Sequence, residues 1–120
     1  MTQKEIKINY IEFSVKDIAR SKEFYGTLFG WSFTDYGPEY CEFNDGDFKG
    51  GFSQLEDKVR GVMPKSGPLI VLYGEQLEKL YEKVAQAGAE ITKPIFSFPG
   101  GRRFEFLDPD GYKLAIWSDD

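Results

Sequence analysis

The residues able to do chemistry in this chain are carboxylates, phenols and one adjacent pair of arginines, because histidine is absent. That absence removes a histidine general base, a Ser-His-Asp triad, a Cys-His pair and a His-ligated metal together. The single cysteine, Cys41, forms no internal disulfide, and one thiol without a second soft ligand builds no zinc cluster. With no base or cationic helix end beside it, Cys41 reads as a small buried hydrophobe rather than a nucleophile. Glu12 is the candidate acid or base, and no other catalytic residue is assigned. It stands two residues from Tyr10 on the same face of an alternating stretch. There it either hydrogen-bonds a ligand amine or, with its pKa raised by burial, moves a proton. The plain alternative is an arginine partner or solvent at a rim. Arg102 and Arg103 are candidates for an anionic ligand, against the commoner outcome of exposed hairpin charges.

The elements that must position these groups follow from the pattern. Ile6 to Val15 alternates as a strand, with Ile11, Phe13 and Val15 on one face and Tyr10, Glu12 and Ser14 on the other. Asp17 is an N-cap for a helix turning Ile18, Ser21, Phe24, Tyr25, Leu28 and Phe29 inward, and Gly30 is its C′ residue. Trp31 and Phe33 open a second strand, Tyr36-Gly37-Pro38 turns, and Tyr40 to Phe43 leads through a short hairpin into Phe48 to Gln54. Residues 55–68 read as a linker. Leu69 to Tyr73 is almost wholly apolar and is expected at the centre of its sheet. Leu77, Leu80, Tyr81 and Val84 follow a helical period that ends at Gly88. Ile91 opens another strand, and Lys93-Pro94 to Gly100-Gly101 reads as a turn-rich passage. The chain closes in a hairpin, Phe104 to Trp117, turned by Asp108-Pro109-Asp110-Gly111.

Glu42 to Phe52 repeats that last hairpin one residue shorter. Superposing the halves sets Tyr10 against Leu69, Glu42 against Glu105, Phe43 against Phe106 and Gly51 against Ala115. The sequence therefore predicts an internal duplication of strand, helix and three strands.

At 120 residues, 41% of them apolar and 17% aromatic, the chain suits one domain with a substantial core. The domain is read as residues 1–120, with modules at about 6–54 and 69–118. Fifteen basic against 20 acidic residues, a net of −5, argue against a nucleic-acid partner. No apolar run is long enough for a membrane span, and Met1-Thr2-Gln3-Lys4-Glu5 lacks a signal peptide's apolar region, so a cytoplasmic protein is expected.

Val15-Lys16-Asp17-Ile18-Ala19-Arg20-Ser21-Lys22-Glu23-Phe24-Tyr25, then Leu28-Phe29-Gly30-Trp31, and later Gly100-Gly101-Arg102 with Asp108-Pro109-Asp110-Gly111, resemble the vicinal oxygen chelate superfamily. This group includes glyoxalase I, extradiol dioxygenases and the fosfomycin and bleomycin resistance proteins. The resemblance implies an α+β fold of two βαβββ modules whose mixed sheets curve around a cavity, in a homodimer. It also implies four metal-ligand positions, two per module, which fall on Tyr10, Gly51, Leu69 and Ala115. The alignment at Gly51 allows a slip to Lys49 or Ser53. Leucine and alanine carry no donor atom, glycine only its backbone, and tyrosine alone anchors a divalent ion poorly.

Hence no metal site and no cofactor is expected. The expected function is binding of a hydrophobic or aromatic small molecule by Tyr10, Glu12, Phe43, Gly51, Leu69, Phe104, Ala115 and Trp117, with drug sequestration as one form. With a four-residue turn at 108–111, Phe104 faces Ala115 across the hairpin and Phe106 faces Lys113. A shift of one residue returns both phenylalanines to ordinary packing beneath a helix. The competing reading is a lyase, isomerase or dioxygenase resembling glyoxalase I, which either works without metal or draws ligands from Glu12, Glu42, Glu105 and Cys41.

Overall fold

Alternation of Phe13 and Val15 with Glu12 and Ser14 produces β1 (Ile11–Val15) in the computed structural model, which describes residues 6–55 and 67–120. The strand starts at Ile11 rather than Ile6, because its neighbour supplies partners only from Gly50, opposite Ile11. Asp17 then caps α1 (Ile18–Phe29), its carboxylate accepting from the Arg20 amide at 3.3 Å. Gly30, at φ 72°, ends the helix in the left-handed conformation that favours glycine. Strands β2 (Ser32–Asp35), β3 (Tyr40–Asn44) and β4 (Lys49–Gln54) complete a sheet of order β1-β4-β3-β2, with β1 and β4 parallel and the other pairs antiparallel.

The chain divides into two compact units, Met1–Arg60 and Gly61–Asp120. The second repeats the plan with β5 (Ile70–Tyr73), α2 (Leu77–Gln86), β6 (Glu90–Phe98), β7 (Gly101–Leu107) and β8 (Lys113–Ser118), in the order β5-β8-β7-β6. The registers agree with the superposition read from sequence. Glu12 and Glu42 flank Gly51 across the first sheet, and Val71 and Glu105 flank Ala115 in the same way across the second. Most of the expected linker, residues 56–66, lies outside the described residues.

Each helix covers one sheet face. Tyr25 of α1 is fully buried on Phe52 (ring centroids 5.4 Å apart) and Phe13 (6.2 Å), and Trp31 stacks on both Tyr25 and Phe43 at 4.8 Å. Burying an aromatic ring of this size stabilises by roughly 1.5–3 kcal/mol, so this cluster dominates the first core. In the second unit Tyr81 of α2 meets Phe104 edge-on at 5.0 Å above buried Leu77, Leu114 and Ile116. Arg102 clamps Glu78 of α2 and the Asp120 carboxylate, so it is committed to structure rather than to an anionic ligand.

Three expectations are corrected. Strand β5 is the edge of its unit's sheet, not the centre, and Val71 and Tyr73 are exposed. The passage through Lys93 and Pro94 is strand β6, with register shifts between Ile91 and Lys93 and between Lys93 and Phe96. Pro94, which has no amide to donate, is tolerated because β6 is an edge and the ladder is interrupted there. The closing turn is five residues long, since Leu107 pairs with Lys113. The Asp108 carboxylate accepts both the Asp110 and Tyr112 amides at 2.9 Å, drawing Tyr112 into the loop. The first hairpin loop, between Asn44 and Lys49, has four residues, as the shorter repeat implied. No helix among the described residues is long and apolar enough to cross a membrane.

Asp108 is buried while the equivalent Asp45, which accepts the Asp47 and Phe48 amides, is exposed. Replacing Asp108 by alanine is expected to cost roughly 1–3 kcal/mol, since two amides lose their acceptor away from water. Asp45→Ala is expected to cost less than about 1 kcal/mol. Urea unfolding of the two variants checks the order.

Candidate functional site

The face of the first sheet turned away from α1 is built by period-two alternation in β1, β3 and β4. It carries Glu12 and Ser14, Tyr40 and Glu42, and Gly51 and Ser53, with Tyr10 just before β1. The phenols of Tyr10 and Tyr40 lie 2.7 Å apart, and the Tyr40 hydroxyl donates to Glu12 Oε1 at 3.0 Å. Tyr40 has one proton, and Glu12 takes it, so Tyr10 must be the donor to Tyr40. The result is a directed chain: Tyr10 to Tyr40 to the Glu12 carboxylate.

Gly51 makes this chain possible. A Cβ at position 51 would collide with the Tyr40 hydroxyl and lie 2.7 Å from that of Tyr10. Its neighbour Gly50 serves the opposite face, where a Cβ would strike the Phe43 ring and the Ile11 carbonyl. The glycine pair thus admits rings over both faces of one strand. Tyr40 is half-buried, and desolvation, followed by its hydrogen bonds to Tyr10 and Glu12, pushes its pKa well above the usual tyrosine value. It therefore remains a neutral donor throughout the physiological range. Glu12 is exposed, and its Oε2 has no hydrogen-bond partner among the described residues. A ligand N–H or O–H would find two acceptors here, Glu12 Oε2 and the Tyr10 oxygen.

The corresponding face of the second sheet is read off two cross-strand rows. One runs Lys93, Glu105, Ala115, Val71; the next runs Phe96, Arg103, Trp117, Tyr73. The irregularities in β6 put Lys93 and Phe96 in these rows, three residues apart, where an unbroken strand would send them to opposite faces. Arg103 Nη2 donates to Glu105 Oε2 at 3.0 Å, and Lys113 Nζ stands 3.9 Å from Glu105 Oε1. Glu105 is buried, and losing one partner of such a pair typically costs about 3–5 kcal/mol. Trp117 is half-buried between Tyr73 (5.0 Å) and Phe98 (6.2 Å).

The residues singled out from sequence separate accordingly. Tyr10, Glu12 and Gly51 come together in the first unit. Ala115 and Trp117 share one face in the second, with Ala115 fully buried, and Leu69 immediately precedes β5. Phe43 and Phe104 are corrected to the helix-covered faces. Phe43 lies over Gly50 and packs on Phe13, Phe52 and Trp31. Phe104 pairs with Ile116, and Glu105 instead faces Ala115, because the closing turn is one residue longer than expected. Core burial exceeds the roughly 0.5–1 kcal/mol an exposed ring gains from a nearby cation, so both rings go inward. Tyr40 was missed. The signal for it was present: Cys41 and Phe43 fill the core face, so Tyr40 and Glu42 must turn the other way. Cys41 is fully buried, and burial pushes its thiol up, as expected of a packing residue.

Residues 7–116 match the Glyoxalase/Bleomycin resistance protein/Dioxygenase superfamily, and the chain belongs to it. Among curated proteins, CFP32 of Mycobacterium bovis and of Mycobacterium tuberculosis, named as a proposed glyoxylase, is 22% identical over 116 residues. That match takes in 91% of this chain and 44% of CFP32, so the chain spans less than half the length of that relative. The fold is that of the fosfomycin resistance protein FosX from Listeria monocytogenes, with a TM-score of 0.79 at 18% identity over 96% of this chain and 94% of that one. TioX from Micromonospora sp. ML1 shares it too, with a TM-score of 0.72 at 14% identity over 95% and 99%.

At the positions the resemblance gives to metal ligands, these residues do not fit an ion. The place where a ligating side chain would project from position 51 is filled by two phenols. Leu69 and Ala115 offer no side-chain donor, and among the described residues no three or more His, Cys, Asp or Glu stand together to hold an ion.

Gly51→Ala is expected to destabilise the protein by about 1–3 kcal/mol through overpacking, and Tyr40→Ala in the same chain should return part of that loss. A double-mutant cycle by denaturant unfolding measures the coupling. The raised Tyr40 pKa has a defined sign. Its contribution is present in full below the unfolded tyrosine pKa of about 10, and falls as pH rises beyond it, where the unfolded chain ionises first. Tyr40→Phe should flatten that alkaline loss in stability measured from pH 8 to 11.

Proposed function

We propose that this chain is a metal-independent binder of a hydrophobic or aromatic small molecule carrying a hydrogen-bond donor or cation, acting as a homodimer. The observation that carries this reading is the Tyr10–Tyr40–Glu12 chain lying over Gly51, a position the resemblance gives to a metal ligand. It replaces a Lewis acid with acceptors. A metal ion presented at that place would draw on ligand oxygens, whereas Glu12 and the Tyr10 oxygen draw on N–H and O–H groups. Ring faces beside a carboxylate favour an aromatic cation further. Membership of a superfamily whose description includes bleomycin resistance supports drug sequestration as the use, and likewise supports the dimer.

A second reading, a metal-free lyase or isomerase, is favoured by the same hydrogen-bonded chain and by the name that the CFP32 relative carries. In it Glu12 is the base and Tyr40 the neutral group that steadies the carboxylate.

Calorimetry with 1-naphthylmethylammonium distinguishes them. Binding is expected to be unchanged by a chelator and weakened about tenfold or more by Glu12→Gln, the loss of one charge-assisted hydrogen bond. Sedimentation equilibrium is expected at twice the chain mass. A stoichiometric divalent ion in the purified protein, removed together with binding by chelation, would overturn the proposal. Chelator-resistant turnover abolished by Glu12→Gln would instead establish the second reading.

A further inference from the structure

The geometry points to an anion-recognition subsite on the face of the second sheet turned away from α2, taking an aromatic monoanion such as an aryl carboxylate on Arg103. It goes beyond the reading above, because it rests on residues of the second unit alone and calls for a ligand of opposite charge.

Arg103 is held but not saturated. Its guanidinium carbon stands 5.4 Å from the Phe96 ring centroid and 5.8 Å from that of Phe98, and Nη2 donates to buried Glu105. These contacts fix the plane of the fork. Nε is buried with no hydrogen-bond partner, and Nη1 has none among the described residues. An arginine used only to neutralise Glu105 would turn two nitrogens to that carboxylate, in the bidentate geometry the pair prefers. Here one nitrogen serves, and the side chain remains partly exposed.

The local charge has the same bearing. Arg103 and Lys113 (Nζ 3.9 Å away) stand on Glu105, and Lys93, its cross-strand neighbour, has Nζ 5.4 Å from the Phe96 ring centroid, so this face carries three cations to one carboxylate in a chain of net −5. Acidic groups gather instead at the end of the Trp117 row, where Asp119 accepts from the Tyr73 hydroxyl at 2.7 Å and Glu75 and Asp120 also act on that phenol. An incoming cation would meet the three like charges. A monoanion would find the free end of Arg103 and the ammonium of Lys93. Trp117, paired with Arg103 across the hairpin and flanked by Phe98 and Tyr73, supplies the apolar surface on which an aryl group rests.

The experiment follows tryptophan fluorescence while the full chain is titrated with 2-naphthoate, and in parallel with the uncharged 2-naphthamide. Naphthoate is expected to bind about tenfold or more tightly at low salt, the scale of a charge-assisted hydrogen bond. Arg103→Met should erase that preference. Lys93→Met should reduce it about two- to fivefold, as expected of a partly screened charge. Arg103→Met leaves Glu105 without its main partner. Should that variant fail to fold, the wild-type ratio and Lys93→Met, which leaves the Arg103–Glu105 pair intact, decide the matter. Equal affinity of wild type for the two probes, or a preference left undiminished by the substitutions that fold, overturns the proposal. The cationic probe of the first unit is a separate titration, so either result stands without the other.

Discussion

The constraint on which the first sheet depends is the absence of side chains at Gly50 and Gly51. A strand in a packed sheet normally fills both faces with its own Cβ atoms. Here two consecutive residues leave both faces open, and rings from elsewhere cross the strand on each side. Phe43 crosses on the α1 side and joins the stack of Trp31, Tyr25 and Phe52. Tyr40 and Tyr10 cross on the other side and meet Glu12. The same pair of residues therefore sets the depth of the core and the height of the polar chain above the sheet. Glycine's conformational freedom is not at issue, since neither residue has a positive φ; space is.

The two units answer one architectural problem with different chemistry. Positions equivalent by register hold Glu12 and Val71, Glu42 and Glu105, Gly51 and Ala115. In the first unit the glycine allows neutral phenols to settle over the strand and end on an exposed carboxylate. In the second, alanine closes that space, and Glu105 is buried beneath two cations. A buried carboxylate is tolerated only with such partners, whereas an exposed one needs none. The duplication thus preserved strand order and register while the faces diverged into an acceptor site and a cation-rich site.

Much of the fold was legible. Asp17 and Gly30 bracket α1 because a carboxylate cap and a left-handed glycine satisfy the helix ends wherever they occur. The period of Leu77, Leu80, Tyr81 and Val84 locates α2, and the repeated hairpins reveal the duplication with its loop-length difference. The local signals failed where partners far along the chain decide. Position 94 in β6 is permissible only because that strand is an edge, and an apolar run such as Ile70–Tyr73 does not report how many strands flank it.

By itself, the sequence determined the two βαβββ modules, the equivalence of Gly51 with Ala115, and the lack of donor atoms at Leu69 and Ala115, because residue type and local period are sufficient for each. Only the tertiary structure decided which groups meet. The Asp108 carboxylate lengthens the closing turn by one residue, and with period-two alternation that step exchanges Phe104 for Glu105 opposite Ala115. Likewise, the meeting of Tyr10 and Glu12 with Tyr40 depends on parallel pairing of β1 with β4, which sets Ile11 opposite Gly50 and which no local pattern encodes, whereas the β3–β4 hairpin that carries Tyr40 is itself local.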